Sequence, residues 1–300
     1  MQSQKYRTVL IILVLLCSSA HASDVTLPYQ GLVLNANLEL AAGRKLNDGA
    51  ILITHAGLMH RGTETILYLQ KLFKDRGYNS LAINLSLGLN NRQGNYDCKV
   101  PHRHRNQDAA AEIGAWVDWL KRQGVQQVAL LGHSRGGSQT ALYAAEQDND
   151  MVRAVILMAP ATMANNDAAE YQKRFKKPLA PTLKQAQKFV KAGKGATLMS
   201  HANVLTCADT AVSAASFVSY FGEPQRLDTP ILISQFKKPV LVIVAGADDI
   251  VVGLEPKVSP LVDGQRVQMK VIEGADHFFR DLYADDVADA SAVFLKQQGF

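Results

Sequence analysis

The chain contains few cysteines, little proline and no apolar run long enough to span a membrane. Its 300 residues include three cysteines, ten prolines and 21 glycines, and neither proline nor glycine concentrates into a linker. With 47% hydrophobic and 20% charged residues, the composition excludes a disordered chain, a collagen-like chain and a protein with several membrane spans. Without internal repeats, the length allows one large α/β domain or two small ones.

The first 22 residues have the features of a secretory signal peptide. Lys5 and Arg7 form a basic start, Val9 to Leu16 is apolar, and Ala20-His21-Ala22 fits the small-x-small cleavage pattern. The apolar run is much shorter than the ~20 residues of a membrane span. The sequence therefore predicts cleavage after Ala22 and a periplasmic or secreted protein without a stable membrane span. Lipid attachment at Cys17 is the less favoured alternative, because a bulky leucine precedes that cysteine.

Cleavage changes the charge and leaves two cysteines. It removes two basic residues and no acidic one, which lowers the formal net charge from +5 to +3. So small an excess does not favour nucleic acid as a partner. Cys98 and Cys207 remain, and export allows them to pair, but the sequence equally allows two separate buried thiols.

From about residue 49 to the end, short apolar runs alternate with helical patterns. The runs are rich in Val, Ile and Leu without polar alternation, which is typical of strands buried on both faces. They are Ala50–Thr54, Leu81–Leu85, Val128–Leu131, Ala154–Met158 and Val240–Val244. Apolar residues at helical spacing lie between them, as at Ile113, Trp116, Val117 and Leu120. This alternation predicts an α/β fold with a mostly parallel sheet, whose strands end at one edge where active sites lie.

The two ends of this pattern and its middle differ from the rest. Residues 24–40 predict one or two leading antiparallel strands, and the alternation of residues 267–271 predicts an edge strand. From 161 to 238 no buried strand is evident, and helical stretches lie near 165–176, 181–192 and 208–221. This interval begins just after one core strand and ends just before the next, so it is predicted to be an inserted helical cap or lid.

A candidate nucleophile follows the strand at Val128–Leu131. The next residues, Gly132-His133-Ser134-Arg135-Gly136, form a G-x-S-x-G motif, and a helix is predicted from Gly137. So tight a strand–turn–helix connection requires glycine two residues before and after the serine. It raises the Ser134 hydroxyl above the sheet, at a helix N-terminus that favours developing negative charge. The alternative is a glycine-rich turn with an inert serine.

A serine nucleophile needs a base and an acid that orients the base. Two histidines follow Ser134, and His277 is preferred to His201 because it directly follows the last predicted strand. Asp248 and Asp249 both follow the strand at Val240–Val244. Asp249 is preferred as the acid, because the third position after the glycine usually carries it in proteins of this shape, with Asp248 as a cap of the loop.

These residues resemble those of the α/β-hydrolase superfamily over about residues 27–300. The resemblance rests on His55-Ala56-Gly57, the Gly132–Gly136 elbow, Asp249 and His277. It implies an α/β-hydrolase domain in residues 23–300, a Ser–His–Asp hydrolase most often active on esters, and no metal or organic cofactor. The family's usual His-Gly-x turn is His-Ala-Gly here. The oxyanion hole is assigned to the N–H groups of Gly57 and Arg135.

Further residues near this edge are candidates for substrate binding. Leu58 and His133 adjoin the site in sequence. Arg103 and Arg105 follow the fourth strand, where they can hold an anionic group, but a polar loop with Asp97 and Asp108 as their partners is the favoured interpretation. In the same loop, His102 and His104 are too few for a metal site. A Cys98–Cys207 disulfide would tie this loop to the cap. The basic run Lys173–Lys177 is interpreted as a solvated face of a cap helix.

The sequence thus predicts an exported serine hydrolase that cleaves a small-molecule carboxylic ester or thioester through an acyl-enzyme. An acyltransferase or thioesterase can use the same three residues. A non-catalytic ligand-binding protein on a hydrolase scaffold is the alternative from another class.

Overall fold

A computed structural model describes residues 23–222 and 228–300. The predicted signal peptide, residues 1–22, lies outside the described residues, so export remains a prediction. Within the described ranges, no helix has both the length and the apolar character needed to cross a bilayer.

The centre of the molecule is an eight-stranded sheet. The ten strands of the described chain are β1 (Ser23–Tyr29), β2 (Leu32–Glu39), β3 (Ala50–Thr54), β4 (Ser80–Asn84), β5 (Val128–His133), β6 (Val152–Met158), β7 (Leu198–Val204), β8 (Cys207–Ser213), β9 (Val240–Ala245) and β10 (Val267–Ile272). The sheet has the order β1-β2-β4-β3-β5-β6-β9-β10, and β7 pairs with β8 separately. Strand β2 runs antiparallel to both of its neighbours, whereas the other six strands of the sheet, β4, β3, β5, β6, β9 and β10, are mutually parallel. The predicted α/β architecture is confirmed.

Helices cover both faces of the sheet. The α-helices of the described residues are α1 (Glu64–Asp75), α2 (Asn106–Arg122), α3 (Arg135–Glu146), α4 (Ala168–Phe175), α5 (Leu179–Lys191), α6 (Ala214–Phe221), α7 (Thr229–Gln235), α8 (Leu254–Val258) and α9 (Tyr283–Gln297). Helices α1 and α9 share one core with the odd-numbered side chains of β3, including Ile51 and Ile53. Helices α2 and α3 share the other core with Leu52 and Leu130. Each fully buried aliphatic side chain contributes about 1.5–3 kcal/mol relative to its exposed state.

The strand predictions are confirmed because the central strands are buried on both faces. Every residue of β3, β4, β5 and β9 is buried, which accounts for their unbroken apolar runs. The alternating segment forms the edge strand β10, and residues 24–40 contain the antiparallel pair β1–β2. Parallel pairing brings the carboxyl ends of β5, β9 and β10 to one edge, where the loops after them converge.

The segment between β6 and β9 differs in part from its prediction. Helices α4 and α5 lie where helical patterns were expected, but the predicted helix at 208–221 is wrong in its first half. Residues 198–213 form the β7–β8 hairpin, and α6 begins only at Ala214. Two register shifts interrupt the hairpin, and His201 and Asp209 adopt positive φ. These irregularities break the two-residue alternation by which a strand is recognised in a sequence.

The hairpin is fastened to the loop that precedes α2. Cys98 and Cys207 form a disulfide, so of the two alternatives left by the sequence the structure contains the paired one. The His102 N–H donates to the carbonyl of Ala211 (2.7 Å), and the Ser213 N–H donates to the carbonyl of His102 (2.8 Å). This loop therefore pairs with the hairpin through a single parallel bridge between His102 and Val212, and the bridge and the disulfide hold the hairpin against the body of the fold.

Candidate active site

Ser134 lies on a strained turn between β5 and α3. Its φ of 55° and ψ of −123° fall outside the regions that ordinary residues favour. A Cβ on Gly136 would overlap the carbonyl oxygen of His55, and a Cβ on Gly132 would overlap Gly136 and Thr140. The two glycines of the motif are thus required by close backbone approach. They allow the serine to stand at the edge of the sheet.

His277 reaches Ser134 from the loop after β10. Its Nε2 lies 2.8 Å from Ser134 Oγ, so the hydroxyl can donate its proton to the imidazole. The backbone of this loop is fixed by His133, whose Nε2–H donates to the carbonyl of His277 (2.8 Å). Burial lowers the pKa of His133 to about 3, which keeps that imidazole neutral. His133 therefore positions the candidate base and does not face a substrate.

The carboxylate that contacts His277 belongs to Asp248, which corrects the prediction of Asp249. His277 Nδ1–H donates to Asp248 Oδ2 (2.8 Å), and both side chains are nearly inaccessible to solvent. The other oxygen, Oδ1, accepts from the N–H groups of Ile250 and Val251 at 2.8 Å each. Asp249 is exposed on the same turn. One carboxylate thus performs two tasks that the sequence analysis divided between two residues, capping the loop and contacting the imidazole.

These contacts keep the Asp248 carboxylate ionised. Burial by itself raises the pKa of Asp248, but the hydrogen bonds from His277, Val251 and Ile250 and the charge of His277 outweigh it. The pKa consequently lies below its ordinary value. A fixed negative charge beside Nδ1 stabilises the imidazolium that forms when Nε2 accepts a proton.

Two backbone N–H groups are available for an oxyanion at this site. Neither the Gly57 N–H nor the Arg135 N–H donates a hydrogen bond within the described part of the chain, and both residues line the pocket beside Ser134. Gly57 has a φ of +34°, a conformation that favours glycine. The preceding peptide is oriented by His55, whose Nδ1–H donates to the carbonyl of Ala56 (3.1 Å) while Nε2 accepts from the Leu85 N–H (3.1 Å).

The pocket beside Ser134 is small, with a volume of about 120 Å³. Leu58, Ile250, Val251 and Leu205 supply apolar lining, and Arg135 and Arg174 supply positive charge. The volume of the pocket is about that of four water molecules. Leu58 lines this pocket, as predicted from the sequence.

Three other predicted binding residues are not part of this pocket. His133 is buried behind His277, as described above. Arg105 forms an ion pair with Asp108 (2.6 Å), and Arg103 donates to the carbonyl of Ala196 (3.3 Å). Both arginines line a separate groove next to β1 and α2. Arg174, which belongs to the basic run predicted to be a solvated helix face, instead lines the pocket beside Ser134.

The histidines of the loop before α2 belong to a buried aromatic cluster. His102 packs edge-on against the rings of Tyr96 and Tyr220, and His104 Nδ1 is hydrogen-bonded to the Tyr220 hydroxyl (2.9 Å). In the parts of the chain that the structure describes, no three His, Cys, Asp or Glu side chains are arranged to hold a metal ion.

Comparisons with known proteins identify the fold. No curated protein matches the chain. Solved structures that resemble it include Est1E from Butyrivibrio proteoclasticus, at 18% identity and a TM-score of 0.65, covering 92% of this chain and 98% of that one. The α/β hydrolase GrgF from Penicillium sp. sh18 has 16% identity and a TM-score of 0.64, covering 93% and 99%. The monoacylglycerol lipase of Paleococcus ferrophilus has 17% identity and a TM-score of 0.61, covering 88% and 99%.

A family model matches residues 37–226, which include the Ser134 turn and both strands of the hairpin. These residues make up more than half of the chain. The protein therefore has the α/β-hydrolase fold and belongs to the family described as "Protein of unknown function (DUF1749)".

Proposed function

We propose that the protein is a serine hydrolase that cleaves a carboxylic ester or thioester, with Ser134 as nucleophile, His277 as base and Asp248 as the orienting acid. The observation that carries the proposal is that His277 bridges the two other side chains, with 2.8 Å on each side. Proton transfer requires heavy atoms within about 2.6–3.2 Å of each other, and both distances fall in that range.

The first half of the reaction forms an acyl-enzyme. Ser134 Oγ attacks the acyl carbonyl carbon while its proton moves to His277 Nε2, and Asp248 stabilises the resulting imidazolium. The carbonyl oxygen becomes negatively charged and is bound by the N–H groups of Gly57 and Arg135. His277 then donates the proton to the leaving alcohol or thiol, and the bond between the carbonyl carbon and that group breaks.

The second half repeats these steps with water. A water molecule gives its proton to His277 Nε2 and attacks the acyl carbon. The bond to Ser134 Oγ breaks, and the serine takes the proton back from the imidazolium. The products are a carboxylic acid and regenerated enzyme. An acyltransferase would use the same groups with an alcohol in place of water, and product analysis with an added alcohol distinguishes the two.

The activities named for several structural relatives agree with ester chemistry. These relatives include a monoacylglycerol lipase and an esterase from Pyrococcus furiosus, and one structure of Est1E contains ferulic acid. Their identities with this chain are 18% or lower. They support a hydrolytic reaction class, and the local geometry supports the assignment of roles.

Labelling with a fluorophosphonate tests the proposal, because this probe reacts covalently with activated serines. We expect the purified protein to be labelled and the Ser134→Ala and His277→Ala variants to remain unlabelled. Ser138→Ala is a matched control, since Ser138 lies one turn along the same helix and donates only to the carbonyl of Arg135. Absence of labelling in folded parent protein, or persistent labelling of Ser134→Ala, would contradict the assignment.

The pocket volume predicts a preference for short substrates. A cavity of about 120 Å³ accommodates few non-hydrogen atoms, whereas sites for drug-sized ligands occupy about 300–1,000 Å³. We expect kcat/KM for 4-nitrophenyl acetate or butyrate to exceed that for the octanoate by about tenfold or more, which corresponds to about 1.4 kcal/mol. A rate that rises steadily from acetate to octanoate would contradict this prediction.

A further inference from the structure

The pocket at Ser134 contains a guanidinium group that has no acidic partner among the described residues. Arg135 follows the serine directly, and its Nη2 donates to Asn166 Oδ1 (2.9 Å). Its Cζ lies 5.6 Å from the centre of the Tyr220 ring. No described carboxylate forms an ion pair with Arg135, although its burial lowers the pKa to about 10. The group is thus cationic at neutral pH and has lost much of its hydration, an arrangement that favours binding of an anion.

Arg92 is a buried arginine with a structural role, and it provides a comparison for Arg135. It also lacks an ion pair among the described residues, but its guanidinium donates to four backbone or side-chain oxygens. These are the carbonyls of Leu85, Gly94 and Met59 and Oδ1 of Asn84. Within the described ranges, Arg135 has one such acceptor, and its side chain lines the pocket. The donors of Arg135 that face the pocket therefore remain available to a ligand.

A second arginine strengthens the positive potential of the pocket. Arg174, from helix α4, lines the same space, where Nη2 contacts Glu170 (2.9 Å) and Nη1 donates to the carbonyl of Leu205 (2.6 Å). Glu170 holds this side chain in place and neutralises part of its charge. The repulsion between the two arginines further disfavours the charged form of Arg135, and an anion between them relieves this repulsion.

We propose that the substrate carries an anionic group, a carboxylate or a phosphate, that Arg135 binds beside the scissile bond while Arg174 adds to the positive potential. This inference rests on the proposed hydrolase function and specifies its substrate class. The small volume of the pocket limits the anionic part to a short group, such as a succinyl half-ester or a phosphate on a short alcohol. Arg103 and Arg105, the candidates for anion binding in the sequence, line a separate groove and have no part in it.

Selectivity between matched esters tests this proposal. Monoethyl succinate and ethyl 4-methylpentanoate differ by replacement of a carboxylate with a neutral isopropyl group of similar size. We expect the ratio of their kcat/KM values, anionic over neutral, to be about ten or more and to fall by about tenfold or more in Arg135→Met. The change removes the guanidinium and keeps the backbone N–H. Arg103→Met is the matched control, in which the ratio stays as in the parent protein.

Two results would overturn the proposal. One is a parental ratio near or below one, for both this pair and a pair in which the alcohol carries a phosphate. The other is a ratio that Arg135→Met leaves unchanged. If the natural substrate carries a carboxylate, the succinate pair should show the higher ratio of kcat/KM values. If it carries a phosphate, the pair with the phosphorylated alcohol should show the higher ratio.

Binding measurements separate this inference from the hydrolase proposal. If fluorophosphonate does not label the protein and no ester is cleaved, the proposed reaction fails but anion binding can still be measured. We expect succinate or inorganic phosphate to bind Ser134→Ala in a calorimetric titration at low ionic strength. Binding should weaken by about tenfold or more when Arg135→Met is added. Equal binding with and without Arg135, or no binding of either anion, would overturn the inference independently of catalysis.

Discussion

Asp248→Asn is expected to lower kcat for ester hydrolysis by about 10³–10⁴-fold, whereas Asp249→Asn should change it by less than about threefold. An asparagine at 248 can still accept the N–H groups of Ile250 and Val251 through its oxygen. Its amide NH₂ then faces His277 Nδ1, which must give up its proton to accept this hydrogen bond. The proton moves to Nε2, and the imidazole can no longer act as a base for Ser134.

The two variants are closely matched, because the aspartates are adjacent and each is replaced by an asparagine of nearly the same shape. Asp249 is exposed, so its amide should leave both activity and folding near those of the parent. Thermal unfolding of each variant controls for loss of structure, and fluorophosphonate labelling rates give a second measure of nucleophile activation. A large loss in Asp249→Asn, or full activity in Asp248→Asn, would show that the contact seen between Asp248 and His277 does not support catalysis.

Acidification from pH 7 to pH 5 is expected to remove about 5 kcal/mol from the free energy of unfolding. Four buried histidines account for the effect. Burial lowers the pKa of His55, His104 and His133 to about 3 and that of His102 to about 4. Each is therefore neutral in the folded protein at pH 5, whereas a histidine in the unfolded chain, with a pKa near 6.5, is charged.

The sign follows from the protons bound in each state. Between about pH 4 and 6.5 the unfolded chain binds more protons at these four sites, so stability is full above pH 6.5 and falls as pH decreases. Glu112 acts in the opposite direction. Burial raises its pKa to about 7 despite hydrogen bonds from Ser86, so the folded state binds its proton first and gains stability as pH falls from 7 to 4.5. Four sites against one leave a net loss.

Urea unfolding followed by tryptophan fluorescence at pH 7 and pH 5 measures this loss. His102→Phe should reduce it by about 2 kcal/mol, because phenylalanine keeps the ring contacts with Tyr96 and Tyr220 and removes one titrating group. His201→Gln is the control, since His201 is exposed and paired only with Asp209 on the hairpin. Equal stability at the two pH values would show that these histidines are protonated in the folded state.

Much of the fold and part of the candidate site were predictable from local sequence. The central strands are buried on both faces, so burial itself produced the unbroken apolar runs from which they were predicted. Gly132 is required by its close approach to Gly136 and Thr140, and Gly136 by the carbonyl of His55 in the loop after β3. Because both glycines flank Ser134 at a fixed spacing, the turn is recognisable in the sequence as a motif. His277 was accessible to the same reasoning because it follows the last strand of the parallel sheet directly.

Other features had no local signal. Asp248 and Asp249 are adjacent residues of the same type, so the local sequence does not distinguish them. Which of them contacts His277 depends on the direction in which the turn orients each side chain. The β7–β8 hairpin is stabilised by the disulfide and by pairing with His102, more than 100 residues away in the chain, while its irregular register hides the alternation. A helical basic run gave no indication that Arg174 points into the pocket.

The sequence by itself therefore determined the α/β architecture, the serine turn and the histidine after the last strand, because each leaves a local pattern in the sequence: buried apolar runs, the G-x-S-x-G spacing and a position directly after a strand. Only the tertiary structure decided which aspartate meets His277 and which arginines line the pocket beside Ser134. Those outcomes depend on where separate loops converge at the sheet edge, and side-chain direction within a loop is set by hydrogen bonds that link distant segments. The charge of the pocket, and with it the substrate class that we propose, belongs to this second group.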